Sequence, residues 1–248
     1  MLLENKVAIV TGTAMGIGYG IAELFAAEGA RVYMLDIDEE TNAAKAEKIR
    51  AAGGVAHPFA ADVSKAPQVA AAVEDAAARY GRIDVLVNNA GVYPRQDFLE
   101  MTEEEWDRMM EVNLKSMYRT CRLVLPHMIR QKAGKIVNIS SVTIWLGGSR
   151  LVHYIASKGG VLGFTRALAR EVGEHMIHVN CVTPGAIRTE GEDVHAHPDF
   201  IAGIVKQQCH QRRIFPLDVG RVCLFLATEL SDGMTCQTLN VDGGLHLY

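Results

Sequence analysis

The sequence has few of the features that mark a secreted or membrane protein. Its five cysteines are odd in number, widely spaced and never in a C-x-x-C pair, which indicates reduced thiols in a cytosol rather than a disulfide framework. No apolar run approaches the roughly 20 residues that cross a bilayer. Residues 1–6 lead directly into a strand pattern, without a signal peptide. We therefore expect a cytoplasmic protein with no membrane partner.

Concentrated basic charge is also missing. The 25 basic and 29 acidic residues give a formal net charge of -4, and no basic run occurs, so nucleic acid is not an expected partner. His195, His197 and His210 match no standard ligand spacing, so no metal is expected. The expected partners are a small-molecule substrate and further copies of the chain.

The composition is that of an ordinary globular protein, and strand and helix patterns alternate along the sequence. The chain has 248 residues, 49% hydrophobic and 22% charged, about the length of one large-cored domain. The alternation predicts an α/β fold with a single doubly wound Rossmann domain over residues 1–248, in which helices cover both faces of a seven-stranded parallel sheet. The predicted strands are residues 7–10, 31–35, 55–61, 84–87, 135–139, 177–182 and 239–244. The predicted helices are residues 17–30, 39–53, 67–80, 102–128, 154–172 and 217–230. Residues 186–215 have little pattern and are interpreted as a substrate lid.

A glycine-rich turn joins the first predicted strand to the first helix. It reads Thr11-Gly12-Thr13-Ala14-Met15-Gly16-Ile17-Gly18, a T-G-x-x-x-G-x-G pattern. Glycines permit a close backbone approach to a pyrophosphate, and the helix amino terminus offers unpaired N–H groups. The predicted cofactor-binding residues of this turn are Gly12, Met15, Gly16, Ile17 and Gly18.

An acidic residue ends the second predicted strand. Asp36 stands about twenty residues beyond the glycines, where its carboxylate can accept hydrogen bonds from the adenosine ribose and repel a 2′-phosphate. Neither the loop nor the following Ile37 offers a basic side chain, so the predicted cofactor is NAD rather than NADP. The alternative is that Asp36 only caps the next helix.

A serine, a tyrosine and a lysine follow the fifth strand. Tyr154 and Lys158 are four residues apart, so a helix places them on one face. A tyrosine that works near neutral pH needs a pKa about three units below its usual value of about 10, and one nearby cation supplies roughly the 4 kcal/mol required. Ser141 lies where the strand ends and can hydrogen-bond a substrate oxygen. The alternative is that Y-x-x-x-K is an ordinary surface pair.

Two amide-bearing segments complete the motifs. The fourth strand runs into Asn88-Asn89-Ala90-Gly91 at the sheet edge where ligands bind. Asn113 stands inside the predicted long helix, where an amide either has a specific role or merely faces solvent or bonds a neighbouring carbonyl.

Taken together, these motifs resemble the classical short-chain dehydrogenase/reductase family over essentially the whole chain. The resemblance implies that Ser141 holds the substrate oxygen, that Tyr154 exchanges its proton, and that Lys158 lowers the tyrosine pKa and binds the nicotinamide ribose. It further implies that Asn113 anchors a water linked to Lys158, and that the protein is a homotetramer. The other predicted cofactor-binding residues are Ile37, Asp62, Val63, Asn89, Ala90, Gly91, Pro184, Gly185, Ile187 and Thr189.

The sequence predicts the substrate less well than it predicts the fold or the cofactor. Finer similarity, in Gly91-Val92-Tyr93-Pro94 and His153-Tyr154-Ile155, indicates a branch that includes NAD-dependent 1-phenylethanol dehydrogenase and pyridoxal 4-dehydrogenase. The expected lining is mostly apolar and favours a neutral secondary, aromatic or cyclic alcohol. Its candidate residues are Tyr93, Ser141, Thr143, Trp145, Leu146 and Tyr154.

Three alternatives stay open. Arg95, Arg150 or Arg188 turned inward would suit an anionic hydroxy substrate. A non-enzymatic dinucleotide sensor would keep the fold but could dispense with Ser141, Tyr154 and Lys158. An extended nucleotide-sugar epimerase would need about a hundred further residues. In addition, Thr235-Cys236-Gln237 stands where the family usually has Thr-Gly-Gln, so the backbone there is expected to differ in detail.

Overall fold

One seven-stranded sheet forms the centre of the molecule. The computed structural model describes residues 1–190 and 198–246, and all six strand pairings in the sheet are parallel, in the order β3-β2-β1-β4-β5-β6-β7. The strands are β1 (Val7–Thr11), β2 (Arg31–Asp36), β3 (Val55–Ala60), β4 (Val85–Asn88), β5 (Gly134–Ile139), β6 (Ile177–Pro184) and β7 (Thr238–Val241). The predicted parallel sheet is confirmed.

Helices cover both faces of this sheet. They are α1 (Gly16–Ala27), α2 (Glu39–Ala51), α3 (Ala66–Tyr80), α4 (Glu103–Met110), α5 (Ser116–Gln131), α6 (Thr143–Leu146), α7 (Val152–Val172), α8 (Pro198–Gln207) and α9 (Pro216–Ala227). On one face, α1, α2 and α9 pack on strand residues such as Ala8 and Val10. On the other, α3, α5 and α7 pack around Ile9. Successive residues of a strand point to opposite faces, so both cores draw on the same strands.

The predicted long helix over residues 102–128 is interrupted. It begins as expected, because Thr102 and Glu105 exchange the two hydrogen bonds of a capping box at 2.9 and 3.2 Å. A π-helical turn, Glu111–Lys115, then separates α4 from α5. Such turns add one residue to the helical repeat and often occur at functional sites. Here the turn carries Asn113.

The region interpreted as a lid is not irregular throughout. It contains helix α8, and a parallel bridge joins Ile187 to Ile214. Residues 191–197, with His195 and His197, lie outside the described part of the chain. Among the helices in residues 1–190 and 198–246, none is both long and apolar enough to cross a membrane.

A chain of buried polar side chains ties β4 and β5 to the helices beside them. The hydroxyl of Thr120 donates to Asn88 Oδ1 at 2.6 Å, and Asn88 Nδ2 donates to Asn138 Oδ1 at 2.9 Å. Asn138 Nδ2 then donates to the hydroxyl of Thr165 on α7 at 3.0 Å. Leaving a buried polar group without a partner costs free energy. This series of hydrogen bonds therefore fixes the carboxyl ends of β4 and β5 relative to α7.

Candidate active site

The glycine turn forms a close-packed cradle between β1 and α1. Gly12 and Gly16 have φ angles of +74° and +56°, in the left-handed region that favours glycine. A Cβ on Gly18 would lie 1.9 Å from the Gly12 carbonyl oxygen, so no larger residue fits there. Met15 is exposed, and Gly16, Ile17 and Gly18 form the first turn of α1. Their N–H groups have no intrahelical partners and suit a phosphate.

Asn89 locks this cradle to the end of β4. Its Nδ2 donates to the carbonyl oxygens of Thr11 and Gly12 at 2.9 and 3.1 Å. The Thr11 hydroxyl in turn accepts the N–H groups of Asn89 and Ala90, both at 3.0 Å. The predicted role of Asn89 in supporting the cofactor cradle fits this geometry. Sequence reasoning missed Thr11, whose only signal was a hydroxyl directly before the first glycine.

Asp36 ends β2 and faces the glycine turn. Its Oδ2 accepts the N–H of Ala14 at 2.8 Å, and its Oδ1 accepts the N–H of Asp38 at 3.0 Å. The helix cap is a different residue, because Asp38 accepts from the Thr41 N–H and is the N-cap of α2. The alternative that Asp36 caps the helix is therefore wrong. A carboxylate has about four acceptor positions, so Asp36 keeps capacity for a ribose diol.

A cavity of about 840 Å³ opens beside Asp36. Seven predicted cofactor-binding residues line it, namely Gly12, Asp36, Ile37, Asp62, Val63, Ala90 and Gly91. Its charged residues are five acids (Asp36, Asp62, Glu104, Asp107, Glu111) and three bases (Lys65, Arg108, Lys115). The size, the acceptor at its edge and the adjoining glycine cradle fit the adenosine half of a dinucleotide.

Tyr154 and Ser141 meet at the carboxyl end of β5. Ser141 lies two residues beyond that end and Tyr154 lies in the first turn of α7, and hydrogen bonding to Ser141 lowers the pKa of the Tyr154 phenol. Thr143 donates its hydroxyl to Ser141 Oγ at 2.9 Å, which fixes the serine from the other side. The two hydroxyl groups lie on neighbouring elements at the sheet edge, an arrangement in which both can hydrogen-bond one substrate oxygen.

Lys158 is buried beneath Tyr154. Its Nζ lies 5.9 Å from the centre of the Tyr154 ring and donates to the Ile139 carbonyl oxygen at 2.9 Å. A Cβ on Gly91 would lie 3.5 Å from this Nζ and 3.2 Å from Asn113 Oδ1. Lys158, Gly91 and Asn113 are therefore close neighbours, although they come from three different elements.

The pKa directions in this group correct one expectation. Burial raises the pKa of Tyr154, and Tyr93 acts in the same sense, while the hydrogen bond with Ser141 lowers it. Burial also lowers the pKa of Lys158 to about 8. The expectation that Lys158 brings the tyrosine pKa below its usual value is wrong in this structure. The lysine lies 5.9 Å from the ring centre and its own charged form is disfavoured, so desolvation outweighs its field.

Asn113 is fully buried and held at both ends. Its Oδ1 accepts the N–H of Val92 at 2.8 Å, and its Nδ2 donates to the Val92 carbonyl oxygen at 2.9 Å. The same Nδ2 lies 3.2 Å from the hydroxyl of Ser157. Asn113 therefore joins the π turn to the segment that follows Gly91. The alternative that the amide faces solvent is wrong, whereas the amide does bond a carbonyl group, that of Val92.

The residues after β6 border the same edge. Pro184 accepts the N–H of Val142 at 3.0 Å, which connects β6 to the segment after Ser141. Gly185 donates to Val241 at 3.0 Å, and a Cβ on it would meet Asp242 at 2.8 Å. Ile187 is buried, and the methyl group of Thr189 approaches Gly16. Thr189 therefore contacts the glycine cradle, and the cofactor-binding role of all four residues stays a prediction.

The predicted substrate residues follow the carboxyl ends of β4 and β5, and we refer to them together as the wall of the proposed substrate site. Tyr93 and Leu146 are about half exposed, at 54% and 48%, and the Trp145 ring lies edge-on to His246, 5.6 Å between centres. No sequence pattern indicated His246. Two of the three arginines are placed on the surface loops beside this wall: Arg95 donates to the Ser149 carbonyl oxygen at 3.0 Å, and the Gln96 N–H donates to Arg150 at 2.9 Å. Arg188 is exposed.

Cys236 adopts the backbone conformation that glycine favours. Its φ is +66°, and its N–H donates to Val179 at 2.8 Å. The cysteine therefore adopts a left-handed conformation, at some cost in free energy. The expected difference in backbone detail from other family members stays a prediction.

A parallel sheet, a glycine cradle and a Ser–Tyr–Lys group at one edge define an oxidoreductase of the dinucleotide-binding type. A model of a family described as enoyl-(acyl carrier protein) reductase matches residues 12–246. A 3-oxoacyl-[acyl-carrier-protein] reductase of Chlamydia muridarum is 41% identical over 248 residues, 98% of each chain. A 2-dehydro-3-deoxy-D-gluconate 5-dehydrogenase of Escherichia coli is 38% identical over 244 residues, covering 98% of this chain and 96% of its own. A crystal structure of a putative gluconate dehydrogenase from Agrobacterium tumefaciens superposes with a TM-score of 0.94 at 31% identity, over 98% of this chain and 96% of that one.

The chain belongs to the classical short-chain dehydrogenase/reductase family. It is an oxidoreductase, and the family uses a nicotinamide dinucleotide cofactor. The open alternatives of a non-enzymatic sensor and an extended epimerase are thereby set aside. The finer resemblance to 1-phenylethanol and pyridoxal dehydrogenases stays a prediction.

Proposed function

We propose that this protein interconverts a secondary alcohol and its carbonyl compound with NAD(H). The observation that carries the proposal is the convergence of Ser141, Tyr154 and Lys158 at the edge of the sheet that also carries Asp36. The dinucleotide, when bound, accepts or supplies the hydride. Tyr154 takes the proton from the substrate oxygen in oxidation and gives it back in reduction, while Ser141 hydrogen-bonds the same oxygen. The same proposal includes a water molecule that Asn113 anchors near Lys158. It also includes assembly as a homotetramer and a cytoplasmic location.

NAD is proposed over NADP on charge grounds. Asp36 offers acceptors to a ribose diol, and the neighbouring cavity holds five acids against three bases, an environment that disfavours an added phosphate. The test compares kcat/KM for NAD and NADP in the wild type, in Asp36→Ala, and in Asp36→Ala combined with Ile37→Arg. We expect a preference for NAD that narrows in the first variant and narrows further or inverts in the second. Equal use of both cofactors by the wild type would show that Asp36 does not have this role.

For the substrate, the apolar wall supports a compact neutral alcohol, with Tyr93, Trp145 and Leu146 as its lining. Burying a charged group against such a wall without a partner costs several kcal/mol. A panel of secondary aryl and cyclic alcohols, followed by NADH absorbance, tests this class directly.

An anionic hydroxy substrate is the second candidate. Two observations favour it: the relatives named for gluconate compounds, and the position of Arg95 and Arg150 beside the wall. The deciding measurement is kcat/KM for a neutral aryl alcohol against its carboxylated analogue. A preference of more than about tenfold for the acid, worth about 1.4 kcal/mol, would establish the anionic class and remove the neutral one. Arg95→Met and Arg150→Met should then abolish that preference.

A further inference from the structure

A carboxylate covers the amino end of α1. Gly16 donates its N–H to Glu190 Oε2 at 3.1 Å, across a separation of 174 residues in sequence. The preceding residue, Thr189, places its methyl carbon 3.1 Å from the position that a Cβ on Gly16 would take. Residues 189–190 therefore lie across the first turn of this helix.

A lysine holds that carboxylate in place. Lys45 on α2 lies with its Nζ 3.3 Å from Glu190 Oε1. The same ammonium lies 4.3 Å from the centre of the Tyr19 ring on α1, so the lysine is itself positioned by two contacts. Hydrogen bonds from the N–H groups of Glu190 itself and of Gly16, together with Lys45, hold the pKa of the Glu190 carboxyl below its usual value. The side chain is therefore negatively charged at neutral pH.

The first turn of α1 is also where this fold binds the pyrophosphate of a dinucleotide. A carboxylate and a pyrophosphate are both anions, and both are stabilised by the same N–H donors and by the positive end of the helix dipole. A single N–H cannot serve both fully, and two negative charges a few ångströms apart repel each other.

We infer that Glu190 sets cofactor affinity by competing internally for the pyrophosphate site. In the free protein its carboxylate accepts the Gly16 N–H, and it leaves that N–H when the dinucleotide binds. The inference rests on the proposed dinucleotide-dependent function. The Arg188 N–H donates to the Ile214 carbonyl oxygen at 2.9 Å, which fixes the backbone directly before Thr189 and Glu190.

The experiment measures binding by titration calorimetry in wild type, Glu190→Gln and Glu40→Gln, with NADH, ADP and adenosine as ligands. Glu190→Gln removes the charge but keeps the shape, and Glu190 is exposed, so the variant should still fold, with a slightly lower melting temperature without ligand because its contacts with Gly16 and Lys45 are weakened. Glu40→Gln is the matched control, since it removes one charge from the exposed first turn of α2. We expect Glu190→Gln to bind NADH and ADP about threefold to fivefold more tightly, with adenosine unchanged because it has no phosphate.

Three results would overturn the inference: unchanged or weaker NADH and ADP binding by Glu190→Gln, equal tightening of adenosine, or the same tightening in Glu40→Gln. The last result would reveal only long-range charge repulsion. Failure of the proposed function looks different, because the wild type itself would then bind neither NADH nor NADPH.

Discussion

At the residue scale, burial sets the ionisation of two side chains of the proposed active site. Tyr154 has a raised pKa and Lys158 has a pKa lowered to about 8. A tyrosine accepts the substrate proton only as phenolate and donates it only as phenol. With a raised pKa, Tyr154 is protonated at neutral pH, the form needed for carbonyl reduction.

The first prediction is therefore a strongly alkaline profile for oxidation. Below the Tyr154 pKa, kcat/KM for alcohol oxidation should rise about tenfold per pH unit and continue to rise to about pH 10, the usual tyrosine value. Carbonyl reduction should be nearly independent of pH over the same range, because the phenol form predominates until the pKa of Tyr154 is reached. Steady-state rates in both directions check this, and Tyr154→Phe should remove turnover while NADH still binds. An oxidation plateau that begins below pH 8 would mean that the tyrosine pKa is lowered in the working enzyme.

A second residue-scale prediction concerns Cys236. Its positive φ costs a non-glycine residue about 1–2 kcal/mol, whereas its half-buried side chain adds packing. Both Cys236→Gly and Cys236→Ala lose the packing, but only glycine relieves the backbone. Urea unfolding at fixed protein concentration should therefore find the glycine variant about 1 kcal/mol more stable than the alanine variant. Equal stabilities would mean that the left-handed conformation carries no cost here.

At the scale of elements, the turn between β1 and α1 depends on close approach of backbone to side chain. The carbonyl oxygen of Gly12 and the amide of Asn89 occupy the space next to Gly18. Gly173 is under no comparable constraint. It follows α7 with a φ of -61°, and no described atom lies within 4 Å of the position that a Cβ would take there.

This difference gives a matched pair of substitutions. Gly18→Ala should destabilise the protein by about 1–3 kcal/mol or more and weaken NADH binding by at least about tenfold, because the cradle must open. Gly173→Ala should leave NADH binding unchanged and stabilise the protein by about 0.4–1 kcal/mol. Thermal unfolding and NADH fluorescence titration measure both effects. Intact NADH binding in Gly18→Ala would show that the turn adapts without loss.

At the scale of the whole molecule, the proposed site is assembled from the ends of several strands. The contributing residues lie at or just beyond the carboxyl ends of β1 to β6, so a ligand that bridges them binds only the folded chain. Ligand binding then raises stability by mass action.

The fourth prediction follows from this linkage. NADH at about 100 times its Kd should add about 2.7 kcal/mol, which corresponds to an increase in Tm of about 5–10 °C for a chain of this size. NADPH at the same concentration should give a smaller increase, and Asp36→Ala should narrow the gap. Differential scanning fluorimetry at one protein concentration measures all three. Equal shifts from both cofactors in the wild type would contradict the proposed NAD preference.

The sequence by itself determined the parallel sheet, the order of its elements along the chain and the residues proposed as the reacting groups. Alternating and helical periodicities, the glycine spacing before α1 and the four-residue step from Tyr154 to Lys158 are local properties, so they can be read without knowing the fold. The capping box at Thr102 was predictable for the same reason.

Tertiary structure decided what depends on residues far apart in the chain. The π turn that carries Asn113 is coupled to contacts with Val92 and Ser157. The pKa directions of Tyr154 and Lys158 depend on how deeply the fold buries them, which no pattern encodes. The contact of Glu190 with Gly16 spans 174 residues. Sequence periodicity reports on neighbours along the chain, whereas burial and through-space hydrogen bonds arise only once the strands are placed side by side.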